Sequence, residues 1–238
     1  LNIAHRGASS LAPENTMAAF RKAAELGADG IELDVQFSKD GKLVVIHDEL
    51  LNRTTNGKGL VKDYTLAELK ELDAGSWFSP EFAKASIPTL EEVLAEFPGM
   101  HINIEIKSGV ILYPGIEKVL LDLVSKHKLE GQVLISSFNH YSLVECNEIN
   151  PEVPIGILYM AGLYEPWDYA KKLGCYSIHP FFYGVQPEII QGCKENRLAI
   201  YAWTVDDSKT MAALCKGGVD AIITNRPQDL KEILTGGK

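Results

Sequence analysis

The feature that most constrains the fold is a repeated alternation of short apolar segments and helix-like stretches along the 238 residues. Most of the apolar segments precede a stretch whose apolar residues recur at helical spacing. Eight such units in a chain of about 250 residues predict an α/β fold of the (β/α)8 TIM barrel type. A doubly wound open sheet is the alternative, disfavoured because no glycine-rich nucleotide turn follows the first segment. The predicted strands are 2–5, 31–36, 101–107, 133–137, 155–159, 176–179, 198–203 and 220–224.

The alternation lapses between about residues 49 and 88. The stretch 52–59 is loop-like, a short helix is predicted at 65–72, and 77–80 is irregular. Segments of this length within compact domains are usually functional lids or small subdomains. We therefore expect one (β/α)8 catalytic domain over residues 1–238, with an inserted lid or subdomain at about 49–88 after the second strand unit.

Charge and cysteine content limit the classes of partner. A net charge of −9 argues against broad binding to nucleic acid or anionic membranes, because both require basic faces. No apolar stretch approaches the roughly 20 residues of a membrane span, so we expect no stable membrane insertion. The four scattered cysteines form no Cys-x-x-Cys pair, which predicts a reducing, cytoplasmic compartment. Because the chain starts at Leu1 and not at Met, a removed leader stays open as an alternative.

Two predicted strands carry charge on one face. In 30–36, apolar residues alternate with Glu32 and Asp34, and 101–107 places isoleucines opposite a face that includes Glu105. A solvated acidic edge would explain either strand alone. Two strands of the same design favour a shared polar site, because adjacent buried carboxylates repel unless a cation lies between them.

The polar residues fall at the carboxyl ends of the predicted strands, where TIM barrels place their active sites. Glu32, Asp34 and Glu105 form an all-oxygen set that suits a hard divalent cation, Mg²⁺ or Ca²⁺. Zinc is less favoured, because it usually recruits Cys or His ligands at tight spacing. Further polar residues expected at this end are His5, Arg6, His47, Lys107, His179 and Trp203.

Cations and histidines beside a metal suit phosphodiester chemistry. Arg6 and Lys107 could bind a phosphate, arginine as a fork and lysine as a point charge. His5 and His47 are the side chains best suited to move protons near neutral pH. One histidine would deprotonate the nucleophile and the other would protonate the leaving alkoxide.

Taken singly, each residue has a structural explanation. His5 could be a hydrogen-bonded core histidine, and Arg6 and Lys107 could simply neutralise carboxylates. His179 and Trp203 are equally well explained by packing. For other residues a turn, a cap or a brace is the alternative: His47, Asp48, Glu14 and Asn15.

Six ordered motifs spanning essentially the whole chain resemble the glycerophosphodiester phosphodiesterase family. The resemblance implies the barrel and insertion expected above, metal ligands at Glu32, Asp34 and Glu105, and His5 with His47 as the acid/base pair. It further implies phosphate contacts from Arg6 and Lys107 and substrate contacts from Phe138 and Trp203. The family often has Asp where this chain has Asn225, a position we interpret as structural. The motifs are His5-Arg6-Gly7, Pro13-Glu14-Asn15-Thr16, Glu32-Leu33-Asp34-Val35, His47-Asp48, Glu105-Ile106-Lys107 and 218–227.

The reaction implied by this resemblance is hydrolysis of a small glycerophosphodiester to sn-glycerol 3-phosphate and an alcohol such as choline or ethanolamine. One alternative is a lysophospholipase D-like enzyme acting on single-chain lipids, which needs an exposed apolar groove. Another is a barrel that binds such diesters without turnover, although such a protein is expected to lose a carboxylate ligand or a histidine. The head group, the choice of metal and a homo-oligomeric state stay open.

Overall fold

The computed structural model describes residues 1–236. Eight parallel strands close into a barrel, because the first strand pairs with both the second and the last. The predicted (β/α)8 barrel is therefore confirmed, and the open-sheet alternative is wrong. The strands are β1 (Asn2–His5), β2 (Gly30–Phe37), β3 (Leu43–Val45), β4 (His101–Ile106), β5 (Val133–Ser137), β6 (Ile155–Tyr159), β7 (Ser177–Pro180), β8 (Ala199–Ala202) and β9 (Ala221–Thr224).

The short β3 is additional to the eight and runs antiparallel to the end of β2. Helices surround the barrel. They are α1 (Met17–Glu25), α2 (Leu66–Lys70), α3 (Leu90–Glu96), α4 (Ile116–His127), α5 (His140–Ile149), α6 (Pro166–Lys172), α7 (Pro187–Glu195), α8 (Ser208–Gly217) and α9 (Pro227–Leu234), with 3₁₀ turns at Val61–Asp63, Pro80–Phe82 and Phe182–Gly184.

Helix starts follow from local capping chemistry. The Thr89 hydroxyl accepts from the Glu92 backbone N–H, and the Glu92 side chain accepts from Thr89 in return. This capping box satisfies donors that the first turn of α3 would otherwise leave unpaired. Thr65 and Glu68 repeat the arrangement at α2, so the predicted helix at 65–72 is confirmed with shorter ends.

Two apolar layers lie on opposite sides of the barrel wall. Ile31, Leu33 and Val35 of β2 are fully buried in the layer between strands and helices. Complete burial of each such side chain stabilises the fold by about 1.5–3 kcal/mol. The inner layer includes Ile3 and Tyr201. Since side chains alternate along a strand, Glu32 and Asp34 must point into the barrel.

His179 lies inside the barrel wall and not at the rim where the sequence placed it. Its ring is fully buried, stacks on Tyr201 at a centroid distance of 4.8 Å, and lies 2.9 Å from the Ser177 hydroxyl through Nε2. A Cβ at Gly156 would come within 2.4 Å of this nitrogen, so only glycine leaves room for the ring. Burial lowers the pKa of His179 to about 3. This environment supports the structural explanation of His179.

Residues 49–88 contain a small apolar cluster of their own, in which Leu51, Val61, Leu69 and Ile87 are buried. Val44 and Ile46 also belong to this cluster, so the strand β3 joins the segment to the barrel. All four cysteines are free thiols. Across residues 1–236, no helix combines the length and apolar character needed to cross a bilayer.

Candidate active site

Three carboxylates converge inside the mouth of the barrel. Strands β2 and β4 are parallel neighbours, and their register places Asp34 beside Glu105. Glu32 lies two residues earlier on the same face of β2. One carboxylate oxygen from each residue lies within 4.8 Å of the other two, and all three side chains are largely buried. The structure thus brings together the three residues that the sequence proposed as metal ligands.

The carboxylates of this acidic triad (Glu32, Asp34 and Glu105) are buried close together and repel one another. Burial, followed by the charges of Asp34 and Glu105, raises the pKa of Glu32 well above its usual value. Burial also raises the pKa of Glu105, with a further contribution from Asp34. Burial alone would raise the pKa of Asp34, but Lys107 and Arg6 lower it overall.

One atom of the triad is left without a hydrogen bond. Asp34 Oδ1 is buried and accepts none from the described residues, with Lys107 Nζ 3.5 Å away. A divalent cation would relieve the repulsion and supply this oxygen with a partner. The donor set therefore fits a divalent metal ion.

Two cations border the triad, as the sequence predicted. Arg6 adopts a left-handed backbone conformation (φ 56°), which directs its N–H to Glu32 Oε2 at 3.0 Å. Its side-chain Nε lies 3.3 Å from Asp34 Oδ2. Lys107 Nζ lies 2.6 Å from Glu105 Oε1. Strained backbone at non-glycine residues often marks a functional site, because the surrounding structure must hold it.

The ring of His5 is oriented by Asn225, which lies 220 positions later in the sequence. Its Nδ1 lies 2.7 Å from Asn225 Oδ1. The amide itself is oriented, because Asn225 Nδ2 donates to Asp206 Oδ2 at 2.6 Å and Ser9 Oγ donates to Oδ1 at 2.7 Å. Because an amide oxygen only accepts, His5 Nδ1 must carry the proton. The unprotonated Nε2 then faces Glu32 Oε2 at 3.9 Å.

Burial, followed by the charge of Arg6, lowers the pKa of His5 to about 4. His5 is therefore neutral at pH 7. From the sequence alone we interpret Asn225 as structural. That interpretation does not include the direct contact of its side chain with His5.

His47 is held through both its side chain and its backbone. Its Nδ1 lies 2.7 Å from Asp48 Oδ1. The buried amide of Gln36 donates to the backbone carbonyls of Ile46, His47 and Asp48 at 2.9–3.0 Å. The Tyr113 hydroxyl donates to Gln36 Oε1 at 2.8 Å. The loop that carries His47 is thereby tied to the barrel interior.

The two predicted substrate-contacting aromatics meet at the mouth. Phe138 and Trp203 pack edge to face with ring centroids 5.5 Å apart. Trp203 donates through Nε1 to the His179 carbonyl at 2.7 Å. Phe138 is 42% exposed, so a ligand can reach it. Trp203 also lines a small pocket at the mouth, whose wall includes His5, Glu32, Asn103, Glu105, Ser136, Leu158 and Ile223.

Other residues of this site were only weakly indicated by sequence. Asn15, in a left-handed conformation (φ 55°), donates through Nδ2 to Asp34 Oδ2 at 2.8 Å. Glu14 accepts from Arg6 Nη1 at 2.8 Å, which favours its interpretation as a brace. Thr16 is the residue that caps α1. The motif 13–16 signalled these positions but not their partners.

The comparisons with known proteins agree with this geometry. Residues 5–229 match the Glycerophosphoryl diester phosphodiesterase family. A glycerophosphodiester phosphodiesterase of Caldanaerobacter subterraneus subsp. tengcongensis is 53% identical over 239 residues, covering 100% of this chain and 98% of the relative. A glycerophosphodiester phosphodiesterase of Bacillus altitudinis is 43% identical, covering 94% of each chain.

Solved structures show the same barrel. A phosphodiesterase of Oleispira antarctica, in complex with its product sn-glycerol-3-phosphate, superposes with a TM-score of 0.92 at 33% identity over 98% of this chain and 96% of its own. A glycerophosphodiester phosphodiesterase of Thermotoga maritima gives a TM-score of 0.81 at 30% identity over 98% of each chain. The match of both sequence and fold over nearly the full length confirms the predicted resemblance: the chain belongs to the glycerophosphoryl diester phosphodiesterase family.

Proposed function

We propose that the mouth of this barrel hydrolyses small glycerophosphodiesters to sn-glycerol 3-phosphate and an alcohol. The chain belongs to a family of phosphoric diester hydrolases. The observation that carries the proposal is the convergence of the acidic triad with Arg6 and Lys107. A structural neighbour binds sn-glycerol-3-phosphate as its product. This supports sn-glycerol 3-phosphate as the product that keeps the phosphate group.

The acidic triad would hold Mg²⁺ or Ca²⁺, since both prefer carboxylate oxygens. When bound, the ion would neutralise charge on the phosphoryl oxygens in the transition state. Arg6 and Lys107 would bind the remaining phosphoryl oxygens. Both side chains are mostly buried, at 16% and 15% exposure, so their attraction for an anion is weakly screened. Phe138 and Trp203 would contact the carbon skeleton of the substrate.

The two histidines would have different roles. His5 presents a neutral ring whose Nε2 carries a lone pair, which suits a general base. His47 donates through Nδ1 to the ionised carboxylate of Asp48, which fixes the ring and leaves Nε2 as the atom for proton transfer. His47 is therefore assigned as the general acid. It would protonate the leaving alkoxide.

The glycerol half contains a nucleophile of its own. In this route the 2-hydroxyl oxygen bonds to phosphorus, its proton passes to His5, and the phosphorus–oxygen bond to the alcohol breaks. His47 supplies the proton that the departing oxygen needs. Water then opens the cyclic phosphate. Detection of a cyclic glycerophosphate during turnover would support this route, and full turnover of a 2-deoxy analogue would exclude it.

The deciding experiment is an assay of metal-stripped protein with and without added Mg²⁺ or Ca²⁺, across glycerophosphocholine and glycerophosphoethanolamine. Wild-type protein should turn over at least one of them only with metal. His5→Ala and Glu32→Ala should each lose about a hundredfold or more in kcat. Metal binding without hydrolysis of any diester would favour a binding-only protein and overturn the proposal.

A lysophospholipase D activity is the second candidate, supported by the apolar character of one half of the rim. The loops 108–115, 138–139, 160–165 and 181–186 contain a single charged residue, Glu165. Exposed apolar patches of this kind often mark ligand or interaction sites. Large exposed side chains on this half are Val110, Leu112, Phe138, Tyr141, Met160, Tyr164 and Tyr183.

Turnover of lysophosphatidylcholine compared with glycerophosphocholine separates the two candidates. If the apolar rim binds an acyl chain, Leu112→Ser with Tyr164→Ser should reduce kcat/KM for the lysolipid and leave glycerophosphocholine unchanged. Equal effects on both substrates would exclude this role. Leu234→Ser with Tyr176→Ser, which changes two exposed residues away from these loops, is the matched control.

A further inference from the structure

We propose that Arg53, which lies in the inserted segment 49–88, is a positioning residue that fixes the proton-donating geometry of His47 through Asp48. The inference rests on the proposed function, because it assigns a role within that reaction. Arg53 itself is 19 or more residues from every predicted site residue in the sequence except His47, and its side chain is 43% exposed. Its proposed role follows from the two carboxylates that it joins, Asp48 and Glu14.

The guanidinium of Arg53 contacts two carboxylates at once. Towards Asp48, Nε donates to Oδ2 at 2.7 Å and Nη2 donates to Oδ1 at 3.0 Å. Towards Glu14, Nη1 donates to Oε2 at 2.7 Å and Nη2 donates to Oε1 at 2.8 Å. The planar fork is therefore used on both of its edges, an arrangement that lysine cannot reproduce.

Each of these carboxylates contacts a residue of the proposed active site. Asp48 Oδ1 accepts from His47 Nδ1 at 2.7 Å. Glu14 Oε1 accepts from Arg6 Nη1 at 2.8 Å. A continuous series of charge-assisted contacts thus runs from His47 through Asp48, Arg53 and Glu14 to Arg6. Arg53 occupies its centre and joins the proton donor to the phosphate-binding side.

Asp48 needs this support because it is not otherwise held in place. Its side chain is 29% exposed, and the only other side-chain partner among the described residues is His47. A partly exposed carboxylate held by a single hydrogen bond can rotate toward water. The bidentate contact with Arg53 fixes both oxygens and leaves Oδ1 aimed at His47. The hydrogen bonds of Arg53 are also the largest cause that lowers the pKa of Asp48 to about 2.

The proposed role has a chemical signature. A general acid matters for a poor leaving group such as choline alkoxide and matters little for p-nitrophenolate, which leaves without a proton. Misorientation of His47 should therefore slow the choline ester selectively. A defect in folding or in phosphate binding would slow both esters together.

The test compares glycerophosphocholine with the p-nitrophenyl ester of sn-glycerol 3-phosphate, using metal-saturated full-length protein. Arg53→Ala should lower kcat by about 10- to 100-fold on the choline ester. It should lower kcat less than about threefold on the p-nitrophenyl ester. In a background of Asp48→Ala, the further change Arg53→Ala should add less than about threefold on the choline ester, because the two residues act in series.

Arg21→Ala is the matched control, since Arg21 also forms a two-bond ion pair with a carboxylate, Glu96, but on the exposed face of α1. It should leave both rates unchanged. Equal slowing of both esters by Arg53→Ala, or an unchanged choline rate, would overturn the role of Arg53. Failure of the wild-type protein to cleave either ester would instead contradict the proposed function.

Discussion

Asn225 Oδ1 lies 2.7 Å from His5 Nδ1, although the two residues are separated by 220 positions in the chain. The contact exists because the first and last strands of the barrel are parallel neighbours. The Asp206 carboxylate accepts from the side-chain amide of Asn225. Its charge therefore acts on His5 only through this neutral amide. The other histidine, His47, contacts a carboxylate directly. The different partners of the two rings are the structural basis for assigning them different roles.

Asn225→Asp should shift the pH dependence of the reaction. The pKa of His5 is lowered to about 4, chiefly by burial. A carboxylate at position 225 favours the charged ring and raises this pKa. The His5 ring is then protonated at a higher pH than in the wild type. The acidic limb of the pH profile of kcat/KM should therefore move to higher pH. Profiles from about pH 4 to 9 would show the shift. Asn147→Asp, on the outer helix α5, is the control, and superimposable profiles would contradict the assignment of His5 as base.

Glu32→Gln should separate metal binding from folding. Burial and two neighbouring carboxylates raise the pKa of Glu32, so an amide of the same shape removes repulsion in the metal-free protein. The metal-free variant should be at least as stable as the wild type. Added Mg²⁺ or Ca²⁺ should stabilise the wild type by about 2.7 kcal/mol at 100 times its Kd, and the variant by much less at the same concentration.

Thermal unfolding with and without metal measures this difference. Glu91→Gln, which changes a surface carboxylate paired with Lys126, should keep the wild-type response. An undiminished metal response in Glu32→Gln would show that Glu32 is not a ligand.

Gln36→Leu should impair both stability and turnover. The variant leaves the Tyr113 hydroxyl without its acceptor and the carbonyls around His47 without their donor. Each buried polar group left unpaired costs about 1–3 kcal/mol. Urea unfolding should show a loss of this order, and kcat should fall because the loop carrying His47 loosens. Gln191→Leu, on the exposed side of α7, is the control. Unchanged stability would mean that water replaces the lost contacts.

His179→Gln should weaken the pH dependence of folding. Burial and the nearby charge of His101 lower the pKa of His179 from 6.5 to about 3. Between these values the unfolded chain binds a proton that the folded chain does not. Stability therefore falls as pH is lowered through this window, at up to about 1.4 kcal/mol per pH unit.

The variant should show a shallower slope of unfolding free energy between about pH 6.5 and 4.5. Urea unfolding at several pH values tests this, with the partly exposed His140→Gln as control. A slope equal to that of the wild type would contradict a buried neutral His179. The inner position of this ring, beside Tyr201 and far from water, is the reason for the effect.

Sequence periodicity predicted the elements well because it reflects local physics. The alternation of Ile31, Glu32, Leu33 and Asp34 decides which face of β2 is apolar whatever its neighbours are. The cap at Thr89 depends on residues three positions apart. Helix α1 buries Ala19, Phe20 and Ala23, which are three or four positions apart, and leaves Ala24 exposed.

The amino-acid sequence by itself determined the barrel, the family and the convergence of the carboxylates, because strand alternation and parallel order place these groups at one rim. Only the tertiary structure decided which side chains orient the histidines. Asn225 reaches His5 through barrel closure, and Arg53 reaches Glu14 across 39 positions. Hydrogen bonds between distant loops depend on angles and distances of a few tenths of an ångström, which no local pattern of residues encodes.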